Sequence, residues 1–304
     1  MRPLGGSEIL NNNLVKYTGQ DWQTNVNLVL SVCDSAFIDP NRVNVIWQHL
    51  AYDQGAIRGM ADSNFIQAID HFVYVSNWQR RQFENRFAID LSENHVIRNA
   101  IEHIEFKEKP NNKIKLIYTS TPNRGLAVLL QAFKLLNRTD IELTVFSSNI
   151  IYGKGYSNQL AGQHDYLFHQ CRTTPGIVYR GYATNKAVRQ ALQSSHILAY
   201  PSIYEETSCL AAIEAGAAGC KIVTTNLGAL PETCANWATY VDYKYGDNLD
   251  LLAERYAEIL NQEIDNYQNT CYTVKDQSIW FNEQYSWHQR GQEWLEFFNK
   301  ICVK

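Results

Sequence analysis

The chain has 304 residues, 27 basic and 31 acidic, for a net charge of −4, and 45% of it is apolar. That length suits two domains, each able to bury its own core, and the mixed charge gives no electrostatic case for nucleic acid or an anionic membrane. No apolar run reaches the length of a membrane span, and no charged-then-apolar leader is expected. The seven cysteines are odd in number and lack metal-ligand spacing, which predicts reduced thiols in a cytoplasmic setting.

Short apolar strands are predicted first, at 28–32, 43–47 and 72–75. Ser76-Asn77-Trp78-Gln79 fits a capping box that opens a helix running to about 87. Polar residues 105–113, with Pro110 near the middle, read as a linker between domains. Beyond it the alternation is clean. A strand at 115–118 leads to a helix at 125–136, on which Leu126, Leu129, Leu130 and Phe133 share one face. Strands at 141–146 and 177–179 bracket a long polar, Gly-bearing connection at 152–174, which reads as a loop or a loop with a short helix. A helix at 185–194, strands at 197–200 and 222–225, and a helix at 249–262 complete the pattern. Alternating strands and helices predict an α/β fold with parallel sheets covered on both faces.

The stretch from Tyr200 to Glu214 carries the most chemistry. It reads as a buried strand, a tight loop and a helix start, with Glu206 in the loop and Glu214 two turns into the helix. Unpaired N–H groups at a helix N-terminus suit an anionic phosphate. The flanking carboxylates suit hydroxyls. A nucleotide-sugar has that shape, although a solvated helix with two glutamates fits the spacing as well.

Tyr200-Pro-Ser, Glu206 and Glu214 with seven residues between them, and then Ala-Gly-Ala-Ala-Gly219 before a short strand resemble the donor-site signature of the retaining family 4 glycosyltransferases. Those enzymes have two Rossmann-like domains facing across a cleft, the GT-B fold. The resemblance implies an acceptor-side domain over 1–108, a donor-binding domain over 109–285, and a final helix over 286–304 that crosses back to the first domain, opening at Ser286-Trp287. It also implies that Glu206 holds hydroxyls of the donor sugar and Glu214 the ribose diol. The backbone of Thr207, Ser208, Cys209 and Leu210 would then meet the diphosphate, and the adjacent Glu205 would be replaceable. Many relatives carry glycine near Thr207 and Ser208, so the approach here is expected to be less close.

Thr119-Ser-Thr-Pro-Asn-Arg-Gly125 resembles the family's phosphate loop, and Arg124 takes its basic position. A guanidinium there can pair bidentately with phosphate oxygens and stabilise charge on the departing diphosphate. A second basic residue is common earlier in this loop, but this chain has Thr119-Ser120-Thr121. Gly5-Gly6-Ser7-Glu8 resembles the glycine loop after the family's first strand, where Gly5 and Gly6 would let backbone approach the phosphates. So few residues precede it that the first strand is expected to be missing or a stub, leaving its neighbour uncovered.

His49 follows the second predicted strand, at the carboxyl edge where open α/β sheets bind ligands. The family places a histidine there, which implies a catalytic-site contact with the sugar or acceptor, and Asp53 is a weaker acceptor-side candidate. Asn99 reads as a structural turn, and Gly228-Ala-Leu-Pro-Glu232 as a wall of the nucleotide pocket. Arg80, Arg81 and Arg86, with Trp78 and Phe83, form either a solvated helix face or a surface for an anionic or lipid-linked acceptor.

The resulting expectation is a retaining transferase that takes a nucleotide-sugar donor and an acceptor whose class stays open: saccharide, lipid-linked or protein. No side-chain nucleophile and no cofactor are expected. The sequence holds no Asp-x-Asp pair, so no carboxylate-held metal is implied. Two alternatives stand beside it: a catalytically impaired nucleotide-sugar-binding or partner subunit, and a sugar-nucleotide epimerase on the same architecture. A nicotinamide dehydrogenase is disfavoured, because no strand is followed by G-x-G-x-x-G.

Overall fold

The computed structural model describes residues 6–87, 89, 94–149 and 162–302, and side chains at 270–272 are left aside. Gly5 lies outside the described residues, as does most of the first half of the 152–174 connection. The chain divides into two compact units. The larger comprises His103–Glu205 and Cys209–Gln284. The smaller comprises Gly6–Glu102, Glu206–Ser208 and the segment from Tyr285 onward.

In the smaller unit, strands β1 (Val26–Leu30), β2 (Val43–Gln48), β3 (His71–Tyr74) and β4 (Asn94–Val96) form one parallel sheet in that order. Val26 pairs with Val43, and Val45 with His71. Val29, Ile46, Phe72, Tyr74 and Phe83 build a core against this sheet. The near-continuous apolar run of β2 is what burial on both faces requires. Among the described residues this sheet begins with β1, after the helix Gly6–Thr18.

Ser76 caps the helix Asn77–Glu84 through Gln79 N–H. Gln79 Oε1 reaches back to Val75 N–H, one residue earlier than a capping box predicts. The helix stops at Glu84, three residues short of the expected end. The last helix, Trp287–Cys302, belongs to this unit. Trp287 stacks on Tyr17, Trp22 stacks on Phe298, and Trp294 meets Trp47 edge-on at 4.8 Å.

The larger unit holds six parallel strands: β5 (Ile114–Tyr118), β6 (Ile141–Val145), β7 (Ile177–Tyr179), β8 (Ile197–Tyr200), β9 (Lys221–Thr225) and β10 (Ala238–Val241). Their order is β10-β9-β8-β5-β6-β7. This is the doubly wound order, which reverses between β5 and β8. Part of the 152–174 connection forms the helix Asp165–Thr173. Lys109 Nζ donates to the carbonyls of Leu192, Gln193 and Ala218. It satisfies the free carbonyls at two helix ends at once.

Candidate active site

Two loops leave the carboxyl edge of the larger sheet at its reversal point. One follows β5 and holds Arg124. The other follows β8 and leads into the helix Leu210–Ala217. Ligands of open α/β sheets bind outside the carboxyl ends of strands at such a point.

The two loops touch through backbone. Gly125 has φ +118°, and a Cβ built there would lie 2.0 Å from the Pro201 carbonyl oxygen. Glycine is therefore required twice over, by its dihedral and by the contact. Ser202 Oγ donates to Tyr204 O at 3.0 Å, and Thr225 Oγ1 donates to Ser202 O at 2.7 Å. These bonds fix the turn that presents Tyr204. The Arg124 guanidinium lies 3.4 Å above the centre of the Tyr204 ring, a cation–π stack that spreads it flat. Sequence reasoning did not connect Tyr204 with Arg124.

Cys209 stands at the N-cap of Leu210–Ala217, with no side-chain cap hydrogen bond among the described residues. Ile213 N–H is the first to donate back, to Cys209 O at 3.0 Å. The first-turn amides beginning at Leu210 therefore face the positive end of the helix without intrahelical partners. Buried Thr119 Oγ1 and Thr121 Oγ1, in the loop after β5, have no hydrogen-bond partner among the described residues.

Glu214 is the fifth residue of its helix, just over one turn in rather than two. Arg189, from the helix Asn185–Gln193, addresses it with Nε at 3.0 Å and Nη2 at 2.9 Å, both on Oε1. Burial raises the Glu214 pKa above the usual carboxylate value, and Arg189 opposes that rise. Arg189 was not anticipated. It lies 25 residues from Glu214, on a helix to which sequence reasoning gave no role.

Glu206, Thr207 and Ser208 group with the smaller unit. Thr207 Oγ1 donates to His49 O at 2.8 Å, so its hydroxyl is already engaged. Thr207 and Ser208 are buried, and Glu205 and Glu206 are half-buried. His49 follows β2, and burial holds its imidazole down at about 3, so the ring is neutral. Gly6 is the first residue of the helix Gly6–Thr18, a helical position rather than the expected loop. Asp53 is exposed.

Phe83 is fully buried in the core, which removes it from any acceptor surface. Arg86 stacks 3.6 Å over Tyr52, whose ring is 6.5 Å from Trp78. Arg80 pairs with Glu84 at 3.5 Å.

The strand order defines the larger unit as an α/β domain of the doubly wound type. The model of the family "Glycosyl transferases group 1" matches residues 98–275, more than half of the chain, and the chain belongs to that family. No protein of curated function matches it in sequence. Among solved structures, Anabaena HepE in complex with UDP-glucose superposes with a TM-score of 0.66 at 15% identity, over 85% of this chain and 72% of that one. The pneumococcal O-GlcNAc transferase GtfA, in complex with UDP and GlcNAc, gives 0.69 at 11% identity over 95% and 60%. A Rickettsia africae glycosyltransferase gives 0.64 at 18% over 97% and 82%. These likenesses show the fold, two parallel-sheet α/β units of the GT-B kind. No helix among the described residues is long and apolar enough to cross a membrane.

Proposed function

We propose that this group 1 glycosyltransferase moves a sugar from a UDP-sugar to an acceptor hydroxyl, with retention of anomeric configuration and without a divalent metal. One observation carries the reading: the Arg124 loop and the loop that leads into Leu210–Ala217 touch at the reversal point of the larger sheet, Gly125 against Pro201. UDP is chosen because HepE and the pneumococcal transferase, which share the fold, are complexes with UDP-glucose and with UDP.

As the bond from the anomeric carbon to the diphosphate breaks, positive charge grows on the carbon and negative charge on the departing oxygen. Arg124 and the first-turn amides, with the backbone of 207–210, stabilise that oxygen. Glu214 accepts hydrogen bonds from the ribose diol. Glu206 and His49 hold the sugar. The departing phosphate takes the acceptor proton on the same face, so no protein nucleophile is needed. Tyr52, Trp78 and Arg86 belong to the acceptor side. The reaction is assigned to the cytoplasm, in keeping with the cysteines Cys33, Cys171, Cys220, Cys234 and Cys302, which form no disulfide among the described residues.

Thermal-shift screening with UDP-, GDP-, ADP- and dTDP-sugars tests the donor. A ligand at a hundred times its Kd adds about 2.7 kcal/mol of apparent stability. A rise in Tm with UDP-sugars, and UDP release that survives EDTA, are expected. The absence of a shift with every UDP-sugar, or loss of release in EDTA, refutes the corresponding part.

A further inference from the structure

The turn after β1 is strained in a way the fold alone does not require. Ser31 has φ +61°, a region that L residues other than Asn and Asp seldom enter. Val32 N–H closes on Leu30 O at 2.6 Å, so Ser31 sits at the centre of a three-residue turn with positive φ, the rare form. Strain of this kind persists where surrounding structure over-determines it, and it clusters at functional sites.

The strain places the Ser31 hydroxyl against His49. Ser31 Oγ accepts from His49 N–H at 3.1 Å and lies 3.2 Å from His49 Nδ1. The backbone N–H can only donate, so the single hydroxyl proton must go elsewhere. It has two acceptors in reach: His49 Nδ1 at 3.2 Å and Trp47 O at 3.5 Å. The first is the shorter. Trp47 O is moreover already satisfied by Ser31 N–H at 3.1 Å. With the hydroxyl proton on Nδ1, the ring's own proton stands on Nε2. That nitrogen is covered from solvent and has no hydrogen-bond partner among the described residues. A buried donor left unpaired costs about 1–3 kcal/mol. A ligand oxygen would remove the cost.

We propose that Ser31 is a positioning residue: its hydroxyl fixes His49 as the Nε2–H tautomer, so that His49 offers a neutral donor to an oxygen of the bound sugar and carries no charge. The proposal rests on the reading of His49 as a sugar contact. Burial of the ring, which holds its pKa at about 3, agrees with a group that stays uncharged.

Long-range ¹H–¹⁵N spectra of the full chain, labelled at histidine nitrogens, read the tautomer without any ligand. His49→Gln identifies the His49 resonances. At neutral pH the wild type should show an unprotonated Nδ1 and a protonated Nε2. Ser31→Gly relieves the dihedral and deletes the hydroxyl, so it separates folding from tautomer. In it the His49 signals should shift toward a mixture of tautomers, while Tm holds or rises. A ring proton on Nδ1 in the wild type, an imidazolium, or an unchanged tautomer in a folded Ser31→Gly chain overturns the proposal. If the tautomer is as stated but His49→Gln leaves UDP-glucose turnover and KM unchanged, the tautomer stands and the sugar-contact reading of His49 fails.

Discussion

Glu214→Gln separates two roles for one carboxylate. Arg189 donates a hydrogen bond from Nε to Glu214 Oε1 at 3.0 Å, and its Nη2 forms an ion pair with the same oxygen at 2.9 Å. If that pair is only structural, its loss shows in stability alone. Arg189 stays charged, so its contact with the amide remains a hydrogen bond to a charged group, and what is lost is the ion-pair part, about 1 kcal/mol. Removing a buried charge offsets part of this. The net loss should be at most about 1 kcal/mol, or roughly 2–4 °C in Tm for a unit of this size. If Glu214 also receives the ribose diol, the amide weakens both ribose bonds as well. About 1–2 kcal/mol of binding is then lost, roughly a 5- to 30-fold rise in the Kd for UDP. Calorimetric titration with UDP, beside a melting curve, reads both effects. A lowered Tm with unchanged UDP affinity refutes the ribose role and leaves Glu214 as the partner of Arg189.

Arg124→Ala should lower turnover about a hundredfold or more at saturating donor, the scale of losing one donor to developing charge, while Glu205→Ala leaves turnover near the wild-type value; steady-state UDP release compares them, and equal effects would displace Arg124. Gly125→Ala should destabilise by at least about 2 kcal/mol, since it adds an unfavourable dihedral to a collision with Pro201 O, and an unchanged denaturation midpoint would contradict the contact. His196 accepts Lys115 N–H on Nδ1 at 2.9 Å and lies 3.0 Å from Pro110 O through Nε2, and burial holds its pKa at about 4. Between about 4 and its ordinary 6.5 only the unfolded ring binds the proton, so stability should fall as pH drops through that window, by up to about 1.4 kcal/mol per pH unit. Urea titrations of wild type and His196→Gln should show the variant's pH slope flattened by one proton; parallel slopes would refute this.

The central strands were legible because burial on both faces leaves an apolar run, as in β2 and β8, within a residue or two of the expected ends. What escaped reading has physical reasons. β4 is only three residues, Asn94–Val96, and includes two polar ones. β10 is a half-buried strand at the end of the sheet, so it needs no strong pattern. The helix Cys271–Gln284 mixes polar and apolar residues with little periodicity. The site was legible as a run of residues but not as a set of contacts. Arg124, Glu206 and Glu214 stand out through the family resemblance of their motifs, whereas Tyr204, Arg189 and Ser31 stand out through partners far along the chain or through a dihedral that no residue type announces.

The contact of Gly125 with Pro201 joins the two loops at the sheet reversal into one stiff jaw. Neither can be remodelled alone. A transplanted loop from another family member that moved Pro201 by an ångström would reset the backbone beneath Arg124, so re-engineering either loop calls for both segments to be exchanged as a matched pair.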